Sequence, residues 1–276
     1  STDPKTQAIL SLLEKTKPNV VVFRFPPGGS GSASRPRNKG LELTQTPYVT
    51  YLDPDNEQVN DTYIRLLDRV KDTGADFAIG NMVRFKGKRN RINNSKELKK
   101  AMAKSAALDG NNADLLEKLG FKPMSIQALV ADTAWLKSLN LEQPVGAVGQ
   151  DSYFFQQMLY YARKVSITSR AAHIYYAEIS TSTVNAISPK YYKKYLPLEE
   201  DRAKWLKEVG LLRAYQEDRF NQFLEHWYVK KLENVDPDDL DECIDLIEEI
   251  NDIYGLSEDS NPEIQRIMDK ARALKK

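Results

Sequence analysis

The sequence predicts an α/β domain with a largely parallel sheet, followed by a region that is helical throughout. Three observations carry this. Short β-branched or apolar runs alternate with helical stripes over the first two thirds of the chain. Strand, helix and strand in that rhythm mark a sheet whose neighbours are joined by crossover helices. From about residue 189 the strand signals stop, and aromatic residues recur on the apolar side of helical runs.

The elements follow in order. STDP reads as a helix cap, and residues 4–16 carry an apolar stripe at Ile9, Leu10, Leu12 and Leu13. NVVVFRF, residues 19–25, reads as a short buried strand. GGSGSASRPRNKGLEL is a Gly/Ser loop leading into a helix, and PYVTYL, residues 47–52, is a second strand. NDTYIRLLDRVKDTG is a helix stopped at Gly74. ADFAIGNMVRF follows as strand. KGKRNRINNSKELKK, the most basic run, reads as a solvated loop and helix face or, in a functional reading, as a lobe near an anionic ligand. SIQALVADTAWLKSL gives a strand and short helix, GQDSYFFQQMLYYARK a helix, and VSITS and AAHIYYAEIS two strands. The expected division is an α/β domain over 1–195 and a helical appendage over 196–276.

Composition narrows the function classes. The 276 residues are 41% hydrophobic and 29% charged, the balance of an ordinary globular chain and not of a disordered one. A formal net charge of +1 argues against a protein built to coat nucleic acid. The single cysteine, Cys243, excludes an intrachain disulfide and a cysteine-based zinc site. It fits a reducing, cytoplasmic setting. HWYVKKL has an aromatic-basic character that suits either packing against the domain or contact with a membrane surface. Self-association of the helical region is a further expectation.

Two Asp-Pro-Asp tripeptides pose the sharpest question. Asp236-Pro237-Asp238 precedes the apolar-periodic run Leu240, Cys243, Ile244, Ile247 and reads as a helix start. Asp53-Pro54-Asp55 follows the strand PYVTYL directly. Ligands of open α/β sheets bind at the carboxyl ends of strands. A carboxylate pair there suits Mg²⁺ or Mn²⁺, which take oxygen ligands and substrate phosphates together. The same residues also favour a plain surface turn. Upstream, Arg35, Arg37 and Lys39 offer phosphate contacts after a glycine-rich loop. Downstream, Asp151 opens a helix behind Gly149, as an acid of the first turn or as a general base.

A strand, a Gly-rich loop with Arg37, Asn38 and Gly40, a strand ending in Asp53-x-Asp55, then the Gln150-Asp151-Ser-Tyr-Phe helix resembles the family 2 glycosyltransferases of the GT-A fold. The resemblance covers roughly residues 1–195. Within the family, GGSGSASRPRNKG and STSTVNAISPKYY resemble bacterial enzymes that decorate surface polymers, such as wall teichoic acid glycosyltransferases. It implies a hexosyl- or N-acetylhexosaminyltransferase that inverts the anomeric centre. The donor would be a nucleotide sugar, most simply a UDP-sugar, and the acceptor a hydroxyl of a glycan, polymer or glycoprotein. Mn²⁺ or Mg²⁺ would be the cofactor.

Position by position, the resemblance implies that Asp53 contacts the donor ribose or supports the metal. Asp55 would hold the metal, and Arg37 and Asn38 would line the nucleotide pocket. Asp151 would be the base, and Thr181 and Thr183 would lie near the diphosphate. Gln150 stands where the family commonly has Glu, which alters sugar or acceptor contacts. The loop ISTSTVN lacks the family's frequent His or Arg. No Gln-x-x-Arg-Trp motif of processive members occurs, which implies addition of a single sugar. The opening STD resembles the tail of the family's Asp-Asp-Gly-Ser-x-Asp segment. The first strands of the family would therefore precede Ser1, and the chain by itself is expected to show little or no catalysis. A sugar nucleotidyltransferase and a non-catalytic relative are the alternatives that the same residues leave open.

Overall fold

The computed structural model describes residues 3–26, 31–59, 61–177, 187–255 and 261–275. A six-stranded sheet forms the centre. Its strands are β1 (Tyr48–Val49), β2 (Glu57–Gln58), β3 (Phe77–Lys86), β4 (Lys88–Ile92), β5 (Leu129–Asp132) and β6 (Val165–Tyr176). They run in the order β1-β5-β3-β6-β2, with β4 paired to β3.

The expected α/β class holds, but the sheet is mixed and not largely parallel. Among the described residues only β3 and β6 pair in parallel; the other four pairings are antiparallel. Parallel neighbours need a crossover of a dozen or more residues. β3 and β6 have one, whereas β3 turns into β4 through Gly87 alone, at φ 63°. VSITS and AAHIYY are one strand, not two. Its register against β3 shifts beside Gly80, where a Cβ would lie 3.0 Å from the Arg170 carbonyl oxygen.

NVVVFRF does not enter the sheet. Val21 is 76% exposed and Phe23 48%. The run is held instead by side chains. Arg24 pairs with Glu14 at 2.8 Å, and Arg35 and Lys39 lie over the rings of Phe25 and Phe23. β-propensity describes a fit to a pleated, half-buried surface, and no such surface meets this segment.

Helices cover both faces. α1 (Pro4–Thr16) starts where expected, with Asp3 accepting from the Thr6 backbone amide at 2.7 Å. α2 (Ser34–Leu43) follows the Gly/Ser loop. α3 (Thr62–Thr73) ends at Gly74 in the left-handed conformation, as the sequence indicates. It packs Leu66 and Val70 on one face of the sheet, against Ala78, Met82, Val130 and Ala172. The alternate residues Phe77, Ile79, Leu129 and Ala131 face the main core. That core holds α4 (Asn94–Met102), α5 (Ala113–Leu119), α6 (Thr133–Ser138) and α7 (Gln150–Tyr161). α7 is buried along nearly its whole length, from Tyr153 to Tyr160.

The helical region begins with α8 (Pro189–Lys193) and α9 (Leu196–Glu208). A run over 212–228 then alternates α10 (Leu212–Tyr215) and α11 (Asn221–Phe223) with π-helical turns at Gln216–Phe220 and Leu224–Tyr228. α12 (Leu240–Ile253) and α13 (Pro262–Arg272) close it. One continuous core cluster runs from Leu41 to Ala271, crossing residue 195. At its heart Glu199, fully buried, accepts from Arg202, from the Tyr228 hydroxyl at 2.7 Å and from the Tyr254 hydroxyl at 2.5 Å. A buried carboxylate survives only when paired and hydrogen-bonded like this. HWYVKKL turns inward: Tyr228, Val229 and Leu232 are buried, and the Trp227 indole donates to the Tyr195 hydroxyl at 2.7 Å. No helix among the described residues is long and apolar enough to cross a membrane.

Candidate active site

The loop after β1 carries Asp53, Pro54 and Asp55. Its position is set by partners far away in sequence. Arg37, on α2, grips Asp53 with its guanidinium fork: Nε donates to Oδ1 at 3.2 Å and Nη2 to Oδ2 at 2.6 Å. The Arg37 side chain is only 9% exposed, against 26% for Asp53. Bidentate charge-assisted pairs of this kind are geometrically strict as well as strong. Gln127, in the turn before β5, completes the clamp. Its Nε2 donates to Asp53 Oδ2 at 3.0 Å, and its Oε1 accepts from the Asp53 amide at 3.1 Å and from Asn56 at 3.2 Å.

Behind Gln127 lies a second layer. The Tyr63 hydroxyl donates to the Gln127 carbonyl and sits 3.2 Å from Nδ1 of His173. With the tyrosine proton committed, the His173 Nδ1–H is the donor to that oxygen. His173 is fully buried within β6. Desolvation lowers its pKa to about 4, with Asp53 pulling the other way. It is neutral and structural, which agrees with its reading from the sequence.

Opposite this loop, α7 begins. Gly149 precedes it at φ 76°, and a Cβ there would stand 3.2 Å from Leu198. The position combines a left-handed turn with close contact to α9, which is why glycine suits it. Gln150 and Asp151 are the next two residues. Asp151 lies in the first turn, where the helix dipole favours a carboxylate. Gln150 is buried, and its Oε1 has no hydrogen-bond partner among the described residues.

Arg37, Asp53, Asp55, Gln150 and Asp151 line a single cavity of about 390 Å³. Tyr175, from the end of β6, lies in the same wall. Burial raises its hydroxyl pKa; Arg84 opposes that, while Asp151, Asp55 and Asp53 add to it. The three carboxylates and this phenol thus line one cavity.

Three expectations need correction or completion. Asn38 does not line the cavity. Its side chain exchanges two hydrogen bonds with the Gln143 backbone, at 2.9 Å each, and so tethers the segment leading to α7. Asp53 accepts from Arg37 at both oxygens and from Gln127 at Oδ2, so it is the more engaged carboxylate of the pair. Asp55 is exposed and has no hydrogen-bond or ion-pair partner among the described residues. No cluster of three His, Cys, Asp or Glu side chains that could hold a metal exists among the described residues. One carboxylate still fits Mg²⁺ or Mn²⁺, which are commonly held by one or two carboxylates plus substrate phosphates. Thr181 and Thr183 lie outside the described residues.

Gln127 and Tyr175 were missed in the sequence. Gln127 sits in an apolar run with no motif around it, and Tyr175 reads as one more aromatic strand residue. Only pairing across 74 residues makes Gln127 visible.

Comparison with known proteins agrees with this geometry. Residues 1–122 match the family model described as Glycosyl transferase family 2. No curated protein matches the chain in sequence. Among solved structures, S. aureus TarS 1–349 in complex with UDP-GlcNAc is similar with a TM-score of 0.60 and 17% identity, covering 100% of this chain and 79% of that one. The same TarS segment in complex with UDP is similar with a TM-score of 0.55 and 18% identity, covering 100% and 78%. At such identity the likeness establishes the fold.

Proposed function

We propose, from the match of residues 1–122 to the family model described as Glycosyl transferase family 2, that the protein transfers one sugar from a UDP-sugar to an acceptor hydroxyl with inversion. The observation that carries the reading is the convergence of Arg37, Asp53, Asp55, Gln150 and Asp151 on one cavity. UDP and UDP-GlcNAc, the ligands of the TarS structures, are the donor class it fits.

Asp151 takes the proton of the acceptor hydroxyl. That oxygen attacks the anomeric carbon from the face opposite the diphosphate. The new O–C bond forms as the bond from the anomeric carbon to the diphosphate oxygen breaks, and the diphosphate leaves with the electron pair. One base and one displacement suffice, with no covalent intermediate. Arg37 and Gln127 hold Asp53 rigid at the donor side, so the wall of the pocket does not reorganise during transfer. Asp55 would hold Mg²⁺ or Mn²⁺, and such an ion would neutralise charge on the leaving diphosphate. The acceptor belongs to the glycan, surface-polymer or glycoprotein class. A cytoplasmic setting suits a nucleotide-sugar donor and the buried thiol of Cys243, which burial pushes up to about 12.

Calorimetry of the full-length protein with UDP-GlcNAc, with and without Mn²⁺, tests the reading. Binding that strengthens with Mn²⁺ and weakens in Asp55→Ala supports it. No binding of any UDP-sugar would sink it.

A further inference from the structure

A cleft of about 410 Å³ opens between α7 and α9, and the loop 140–145 completes its wall. It shares no lining residue with the Asp151 cavity. α7 contributes Tyr153, Gln157 and Tyr161, spaced four apart, and α9 contributes Asp201, Trp205 and Glu208, spaced four and three apart. Residues at such spacings lie on one side of a helix.

Two glutamine amides in this wall are each fixed at one end and unpartnered at the other. Gln143 is 1% exposed. Its Oε1 accepts from Arg37 Nη1 at 3.3 Å, which sets the orientation of the amide. Its Nε2 then has no partner among the described residues. Gln157 is 6% exposed. The Tyr153 hydroxyl donates to the Asp201 carbonyl oxygen at 3.1 Å, so towards Gln157 it can only accept, and Gln157 Nε2 donates to it at 2.9 Å. Oε1 of Gln157 is the end left over, again with no partner among the described residues. One buried donor and one buried acceptor thus belong to side chains that line the same space. Buried polar groups are nearly always paired, so both call for a partner from outside the chain.

The rim adds charge. Glu142, Asp201 and Glu208 are exposed there with one cation, Lys204. Trp205 and Tyr161, joined by an indole-to-hydroxyl hydrogen bond at 3.3 Å, form an aromatic side. Aromatic rings and an excess of carboxylates both favour a cation. The volume is that of a small-molecule site.

We propose that this cleft binds a small organic ammonium ion that carries an amide. The ligand carbonyl accepts from Gln143 Nε2, its amide N–H donates to Gln157 Oε1, and its ammonium group faces Asp201 and Glu208. Neither Asp55 nor Asp151 takes part, so the site does not rest on the glycosyl-transfer reading. Through Gln143 it adjoins the Arg37–Asp53 clamp.

The test is ligand-observed NMR titration of the full-length protein with 4-aminobutanamide, butylamine and butanamide. The first carries both groups, the second the charge alone and the third the amide alone. 4-Aminobutanamide should bind at least about tenfold more tightly than either, equivalent to about 1.4 kcal/mol. Asp201→Asn should weaken it by about threefold or more and leave butanamide unchanged. Gln157→Leu should remove its advantage over butylamine. Equal affinity for the three probes would overturn the proposal, the two amides then holding buried water. So would binding that survives both substitutions, or that UDP-GlcNAc displaces, since the probe would then sit elsewhere. Asp201 is exposed and asparagine matches its shape, so that variant decides the matter even if Gln157→Leu does not fold.

Discussion

Asp53-Pro54-Asp55 and Asp236-Pro237-Asp238 are the same tripeptide in two surroundings. Around the first, Asp53 receives a guanidinium fork from α2 and an amide from the turn before β5. Around the second, the Asp236 carboxylate accepts, among the described residues, only the backbone amide of Asp238, at 3.0 Å, in an exposed turn. α12 starts after this turn, at Leu240 with Asp239 as its cap, three residues later than the sequence suggests. An aspartate beside a proline can satisfy its own neighbours and stop the chain there. The first tripeptide differs because its strand end is brought against α2 and β5, which supply donors that local sequence lacks. A carboxylate acquires a role from what faces it.

That contrast can be broken at several points, and the largest effect is expected opposite the first tripeptide. Asp151→Asn should cut transfer by ~10²–10⁴ while UDP-sugar affinity is retained, whereas Asp238→Asn should leave both unchanged. Steady-state rates and calorimetry on the two variants decide it; an active Asp151→Asn enzyme removes Asp151 as the base.

Next comes the layer behind the first loop. The folded pKa of His173, about 4, lies below its ordinary value. The unfolded chain therefore binds the extra proton first. The stability that neutral His173 contributes is complete above about pH 6.5 and is lost as pH falls towards 4, to the extent of roughly 3 kcal/mol. Urea unfolding between pH 7 and pH 4 measures this, and His173→Gln should flatten that part of the profile.

Removing the first carboxylate should then cost less. Asp53→Ala leaves the Arg37 cation unpaired and should destabilise the fold by about 2 kcal/mol, below the full cost of a buried pair because Asp53 is partly exposed. Arg37→Gln together with Asp53→Ala should cost less than the sum of the two single changes. The smallest effect belongs to the second tripeptide: Asp236→Ala should shift stability by only about 0.5 kcal/mol. Equal losses at Asp53 and Asp236 in the same urea experiment would erase the distinction.

Much of the fold is legible in the residues. α1 and α3 are bounded by Asp3 and Gly74, whose capping needs no long-range partner. Gly149 before Gln150-Asp151 likewise announces the start of α7. NVVVFRF failed as a strand because a strand exists only when another backbone pairs with it. The mixed sheet escaped notice because apolar alternation carries no strand direction. The same division runs through the site. Arg37, Asp53, Asp55, Gln150 and Asp151 could be picked out by residue type and order, but Asn38 proved to serve the Gln143 backbone. Gln127 and Gln143 have no local signature at all; one is defined by hydrogen bonds across 74 residues, the other by a contact with Arg37 across 106.

By itself, the sequence determined the helix starts and stops, the class of the fold and the candidate carboxylates, since capping, periodicity and side-chain chemistry are properties of a few adjacent residues. Only the tertiary structure decided which aspartate is clamped, how the strands are directed and that a cleft opens between α7 and α9. Each of those depends on which distant backbone or charge comes to face a residue, and that is fixed when the core closes.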